Sequence, residues 1–169
     1  MKLTDFFLAQ LQRETPISRR VLQRVPEGRP DWKPHEKSMP MGYLAALVAT
    51  MPSWIAMAVE QDSLDLNPQG GSGYQRPEWK TTADLMKLLD DADAKARGAL
   101  AATSDEHLLT TWRLMAAGRI VDESPRHAVI ADTLTHISHH RGQLTVYLRL
   151  NGMPVPSVYG PTADEKGFW

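Results

Sequence analysis

Long stretches with apolar residues every three or four positions alternate along this chain with short stretches dense in proline, glycine and charge. Leu3, Phe7, Leu11, Ser18, Leu22 and Val25 keep helical spacing and predict a first helix from Thr4 to about Arg24 with one buried stripe. Pro16 is expected to kink it, because proline removes a backbone donor and crowds the preceding turn. Glu14 falls at the edge of the stripe and reads as a paired or snorkelling carboxylate before it reads as a cavity-wall residue. After a loop rich in proline and charge, Ser38 is expected to cap a second helix that runs to about Gln61. Leu44, Leu47, Val48, Met51, Ile55 and Ala58 or Val59 form its apolar side, and Pro52 a second kink.

Residues 62–80 are expected to form a flexible crossover. Their glycines lack the lysine and the strand–loop–helix setting of a phosphate loop. A third helix begins at Thr81 or Thr82 and turns Leu85, Leu88, Leu89, Ala92, Ala96 and Leu100 inward. Its acidic run, Asp90, Asp91 and Asp93, reads as a solvated face. The period then changes: Thr110–Met115 and Arg119–Val121 flank an Ala-Ala-Gly turn and predict a small hairpin or extended excursion. The last helix is predicted from Ser124, as cap, to Asn151-Gly152, a left-handed stop that Pro154 keeps from resuming. The tail carries Tyr159, Phe168 and Trp169 and is expected to pack back onto the helices. The fold class expected is all-α: one domain over residues 1–169, an up-down-down-up four-helix bundle with a hairpin before its last helix.

Composition narrows the function. A net charge of −1 over 169 residues gives no electrostatic reason to expect nucleic acid or an anionic membrane as partner. The absence of cysteine removes disulfides, thiolate nucleophiles and zinc–sulfur sites. No window approaches a membrane span, and the first residues turn amphipathic at once rather than reading as a signal peptide, so a cytoplasmic protein is expected.

The candidate chemistry sits on the last helix. His136, His139 and His140 are three of six histidines, and His136 and His140 lie one turn apart on one face. Two imidazoles at that spacing can share a metal ion, or they can line a wet pocket as hydrogen-bonded polar residues. His139 points around the helix from His140, while His35 and Glu14 are weaker candidates for a further ligand. Gln143 is expected beside His140, and Tyr147 at a pocket or a subunit contact. Gly142 is expected to permit a close backbone approach, and Arg141 to form an ion pair between helices. His107 and His127 read as surface residues. Trp32, Trp54, Trp79 and Trp112 read as core and rim packing rather than a stacking platform.

The run HISHHRGQLTVYLRLNGMPVPSVYGPTADE closely resembles the last helix and tail of the DinB-like family, the damage-inducible, YfiT-like group. WKPHEKSMPMGYLAALVATMPSW resembles that family's loop and second helix. The resemblance implies an up-down-down-up bundle, a homodimer, and a divalent metal (zinc, nickel or manganese) held by three histidines. It maps two of these ligands onto His136 and His140 and the third onto Leu47, where this chain has no ligand. Two readings of function follow. The first is a metal-dependent hydrolase or thiol-dependent transferase acting on a small molecule. The second is a non-catalytic binding or dimerisation module with a degraded metal site.

Overall fold

The computed structural model describes residues 2–71 and 77–165, so the expectation for Phe168 and Trp169 lies outside the described residues. Six helices and three strands are described: α1 (Leu3–Leu22), α2 (Met41–Thr50), α3 (Pro52–Glu60), β1 (Ser63–Asp65), α4 (Thr82–Ala102), α5 (Asp105–Leu108), β2 (Thr111–Ala116), β3 (Arg119–Pro125) and α6 (Arg126–Leu150). A purely helical chain is therefore the wrong class: a three-stranded sheet, in the order β1-β2-β3, is built into the domain.

Helix packing follows the apolar stripes. α4 lies against α1, α2 and α3, and α6 against the same three. One core cluster gathers Val21, Leu22, Leu44, Val48, Leu85, Leu89, Leu144 and Leu148, and a second gathers Phe7, Leu11, Ile55, Leu100 and Ile130. No single helix among the described residues is long and apolar enough to cross a membrane. α2 and α3 together pass on length and composition, yet α2 is buried almost throughout.

The second helix is two. α2 starts at Met41 with Pro40 as its uncapped N-cap, so Ser38 does not cap it. Pro52 opens α3 rather than kinking a continuous rod, and the pair bends by 48° at the break. Proline suits that first position, where its missing N–H has no partner to lose. α4 begins as expected, with Thr81 and Asp84 forming a reciprocal capping box. α1 is capped from a distance: the Asp105 carboxylate accepts the N–H groups of Leu3 and Thr4, which hold its pKa below the usual carboxylate range.

The hairpin is present and longer than its sequence signal. Ala117 and Gly118 both have positive φ, 51° and 78°, the left-handed pair that a two-residue turn between twisted strands requires. β1 is the unexpected strand. It pairs parallel to β2, and the Asp65 carboxylate at its end accepts the turn's Ala117 and Gly118 N–H groups. Ser124 belongs to β3, opposite Trp112, and its hydroxyl donates to Asp122; it does not cap α6. Arg126 opens α6 instead. Its buried guanidinium donates to the Ala58 and Gln61 carbonyls at the end of α3, to the Asp62 carboxylate and to the Thr110 hydroxyl. One side chain thus satisfies orphan carbonyls of one helix while fixing where the next begins. At its far end α6 closes as expected: the Gly152 N–H bonds Arg149 and the Met153 N–H bonds Leu148, a Schellman stop with Gly152 at φ 70°.

Candidate functional site

Three elements wall a cleft beside α6. The sheet register decides one wall: Leu64 pairs with Leu114, Leu114 with Asp122, and Trp112 with Ser124. Cross-strand partners share a face, so Leu64, Trp112, Leu114 and Asp122 all look inward. Arg113 is on the outer face, bridging to Glu123 at 2.6 Å. α3 adds Trp54 and Met57, and α6 adds Val129, Asp132, Thr133, His136 and His139, around a cavity of about 530 Å³. A second cavity of about 570 Å³ shares Trp54, Met57, Leu64 and His136, and extends to Met39, Tyr43, Leu47 and His140. His136 stands between the two.

The histidine pair is arranged tip to tip. Nε2 of His140 lies 2.9 Å from Nε2 of His136, and Nδ1 of His140 lies 2.8 Å from Oε1 of Gln143. Nε2 of Gln143 in turn lies 3.0 Å from Nε2 of His139. With the amide oxygen facing His140, the protons are ordered. His140 donates from Nδ1 to Gln143 and accepts at Nε2 from His136, and Gln143 donates to His139. His140 is buried at 5 % exposure, whereas His136 opens onto the cleft. Partial burial of the His136 ring, with the neighbouring His140 and His139 imidazoles, lowers its pKa from the ordinary 6.5. The neutral ring, with the single N–H it donates to His140, is therefore favoured over the imidazolium.

What could these residues hold? Two Nε2 atoms converge on one point, and an amide carbonyl fixes the far nitrogen of one ring, as outer partners of metal-bound histidines do. The site offers no more than that: among the described residues no group of three His, Cys, Asp or Glu is placed to hold a metal. Leu47 lines the same cavity and packs with Met51 and Ile137 beneath the pair. A divalent ion would fit here as a guest of two imidazoles, with its other positions left to water or ligand. A closed cage of three protein ligands does not fit.

The other candidates fall elsewhere. His35 is in an exposed loop, its Nδ1 accepting the Lys37 N–H. Glu14 is engaged by Arg141 at 2.6 Å and by the Tyr159 hydroxyl at 2.8 Å, so its carboxylate is paired. His139 joins the chain through Gln143 without converging on the metal point. His107 and His127 are not surface residues: both are half-buried, with ring nitrogens on the Val59 and Leu108 carbonyls. Gly142 is exposed, with nothing near where a Cβ would stand, so no close approach explains it. Tyr147 packs on Trp32 and donates to the Met39 carbonyl, holding the cleft's loop edge from behind. Trp32 and Trp79 pack on the core, while Trp54 and Trp112 are cleft walls. Asp132 was passed over in the sequence, although it lies one turn ahead of His136 on the same helical face.

The fold also matches solved structures of known type. A DinB-like protein, YjoA, from Bacillus subtilis superposes with a TM-score of 0.67 at 20% identity, covering 90% of this chain and 96% of that one. A DinB-like protein from Bacillus cereus gives 0.67 at 21% identity, covering 90% and 95%. A stretch of 46 residues is 39% identical to the uncharacterized protein YrdA of Bacillus subtilis, a match spanning 27% of this chain and 28% of that protein. The DinB family model matches residues 1–166, and the chain belongs to the DinB family.

Proposed function

We propose that this DinB-family protein is an enzyme acting on a small molecule in the cleft beside α6, with a divalent metal held by His136 and His140. The observation that carries the reading is the approach of the two Nε2 atoms to 2.9 Å at the junction of two cavities. Both imidazoles must be neutral to bind a metal, and the lowered pKa of His136 favours that form. A bound ion would act as a Lewis acid that activates a water, for hydrolysis, or a low-molecular-weight thiol, for transfer. The chain's own contribution is to orient. Gln143 fixes the tautomer of His140, the Trp54 ring stands edge-on to His136 at 5.7 Å, and Leu47 with Met51 keeps the floor apolar. With α2 and α3 counted as one bent rod, we further propose an up-down-down-up order for α1, α2–α3, α4 and α6.

The test is elemental analysis of protein purified without a histidine tag, before and after incubation with zinc, nickel or manganese. About one equivalent of metal, lost in His136→Ala and His140→Ala, is expected. Less than roughly a tenth of an equivalent after incubation overturns the reading.

A further inference from the structure

Among the described residues the formal charge of the cleft has one sign: Asp122 and Asp132 line the first cavity, Asp65 lines the second, and no described lysine or arginine lines either. The three aspartates are not equivalent. Asp65 is occupied by the N–H groups of Asn67, Ala117 and Gly118, which already neutralise much of its field. Among the described residues Asp122 accepts only the Ser124 hydroxyl, at 3.1 Å, and Asp132 has no hydrogen bond or ion pair. The two under-used carboxylates therefore face one cavity. Asp122 comes from the sheet, opposite Leu114 in the register, and Asp132 from α6, one turn or about 6 Å along the axis from His136. Between them and His136 the wall is apolar: Trp54, Met57, Leu64, Trp112 and Leu114. Trp112 is 6 % exposed, and its indole N–H has no acceptor among the described residues. A buried donor left unpaired is destabilising, so stability alone does not explain this wall.

We infer that the cleft takes a ligand with an apolar, ring-sized body and a protonated amine, the ammonium held between Asp122 and Asp132 and the body lying against Trp54 and Trp112 toward His136. This deepens the reading of the cleft as the functional site but does not depend on a metal at the histidine pair. It also bears on the reaction. A thiol co-substrate carrying carboxylates meets like charge along the first cavity, whereas an amine-bearing substrate meets its complement.

Three probes with the same aryl body separate the cases by calorimetry near neutral pH: phenethylamine as cation, hydrocinnamate as anion and ethylbenzene as neutral reference. Phenethylamine is expected to bind about tenfold tighter than hydrocinnamate, the upper range for two exposed ion pairs. In an Asp122→Asn, Asp132→Asn double variant the ratio is expected to fall to about one. Equal or inverted affinities in the native chain, a ratio that survives the double substitution, or no binding by any probe overturns the inference. Each measurement is made on metal-free and on zinc-treated protein. A chain that takes up none of zinc, nickel or manganese but keeps the ratio refutes the metal reading alone. A chain that takes up zinc and shows no ratio refutes the ligand class alone.

Discussion

His140 and Arg141 are neighbours in sequence, yet they belong to two polar clusters on different sides of α6 that obey different rules. The Arg141 side is nearly closed, with only its Nε–H lacking an acceptor among the described residues. Its guanidinium donates to the Glu14 carboxylate and carbonyl, the Ser18 hydroxyl and the Tyr159 hydroxyl, and its ion pair with Glu14 has side chains only 1% and 10% exposed. The histidine side is open: His136 faces two cavities, and among the described residues Asp132 has no bond and the Trp112 N–H lacks an acceptor. Buried polar groups are stable only when satisfied. The first cluster fastens α1, α6 and the tail together, and the second leaves donors and acceptors for something else to meet.

The sharpest way to break this contrast is Glu14→Ala, which strands a buried guanidinium. Removing one partner of a buried pair costs about 3–5 kcal/mol. For a chain of this size that is a fall of roughly 10 °C in Tm. Replacing both Glu14 and Arg141 by methionine is expected to restore much of the loss, because no charge is then left unpaired. On the open side, His136→Gln is expected to change stability by less than about 0.5 kcal/mol. Urea unfolding of the four proteins decides the matter, and equal costs on the two sides would erase the distinction.

The two clusters were also unequally legible in the sequence. Helix positions followed from apolar spacing, Arg141 read as an ion pair between helices, and Glu14 read as a paired or snorkelling carboxylate at the edge of the buried stripe. His136, His140 and Gln143 were placed beside one another by helical arithmetic alone. The cleft's opposite wall was not legible. β1 is three residues, Ser63–Asp65, within a polar stretch, too short for a period to show, and its partner β2 lies almost fifty residues later. Without β1, Leu64 has no place on the face that Leu114 and Asp122 share across the hairpin. Arg126 escaped notice for a related reason: its partners, the Ala58 and Gln61 carbonyls, exist as a target only once α3 has ended there. The bend at Met51 and the start of α6 after Pro125 likewise depend on tertiary packing that outweighs local capping signals.

Next in size is Leu47→His. Leu47 shares the cavity with His136 and His140, so a third imidazole there is expected to raise zinc affinity by about 100-fold, read by competition with a chromophoric chelator. No gain would show that the floor of Leu47, Met51 and Ile137 does not aim a ligand at the pair. A smaller effect is expected from Gln143→Ala, which frees the His140 Nδ1 and lets the ring choose its tautomer. Loss of such an outer partner weakens metal binding by about tenfold, with stability nearly unchanged because Gln143 is exposed. The Arg141 cluster has no counterpart to either effect.

The smallest effect concerns pH, and it separates the histidine side by direction rather than size. Burial and the adjacent imidazoles lower the pKa of His136 from 6.5, so the unfolded chain takes up its proton first as pH falls. Its contribution to stability is complete above that ordinary value and is lost as pH drops through the native one. The stability curve of the native chain is therefore expected to bend downward below about pH 6.5, and His136→Gln to flatten that part of it. Asp65, Asp84 and Asp105 also titrate low, held there chiefly by backbone N–H groups, but their losses come below the usual carboxylate range and stay in the variant. Urea midpoints measured from pH 7.5 down to about pH 4 resolve the two windows, because the imidazole and carboxylate ranges lie about 2 pH units apart. A downward bend near pH 6 that persists in His136→Gln would assign it to another group, and the open face of α6 would then carry no proton-linked strain of its own.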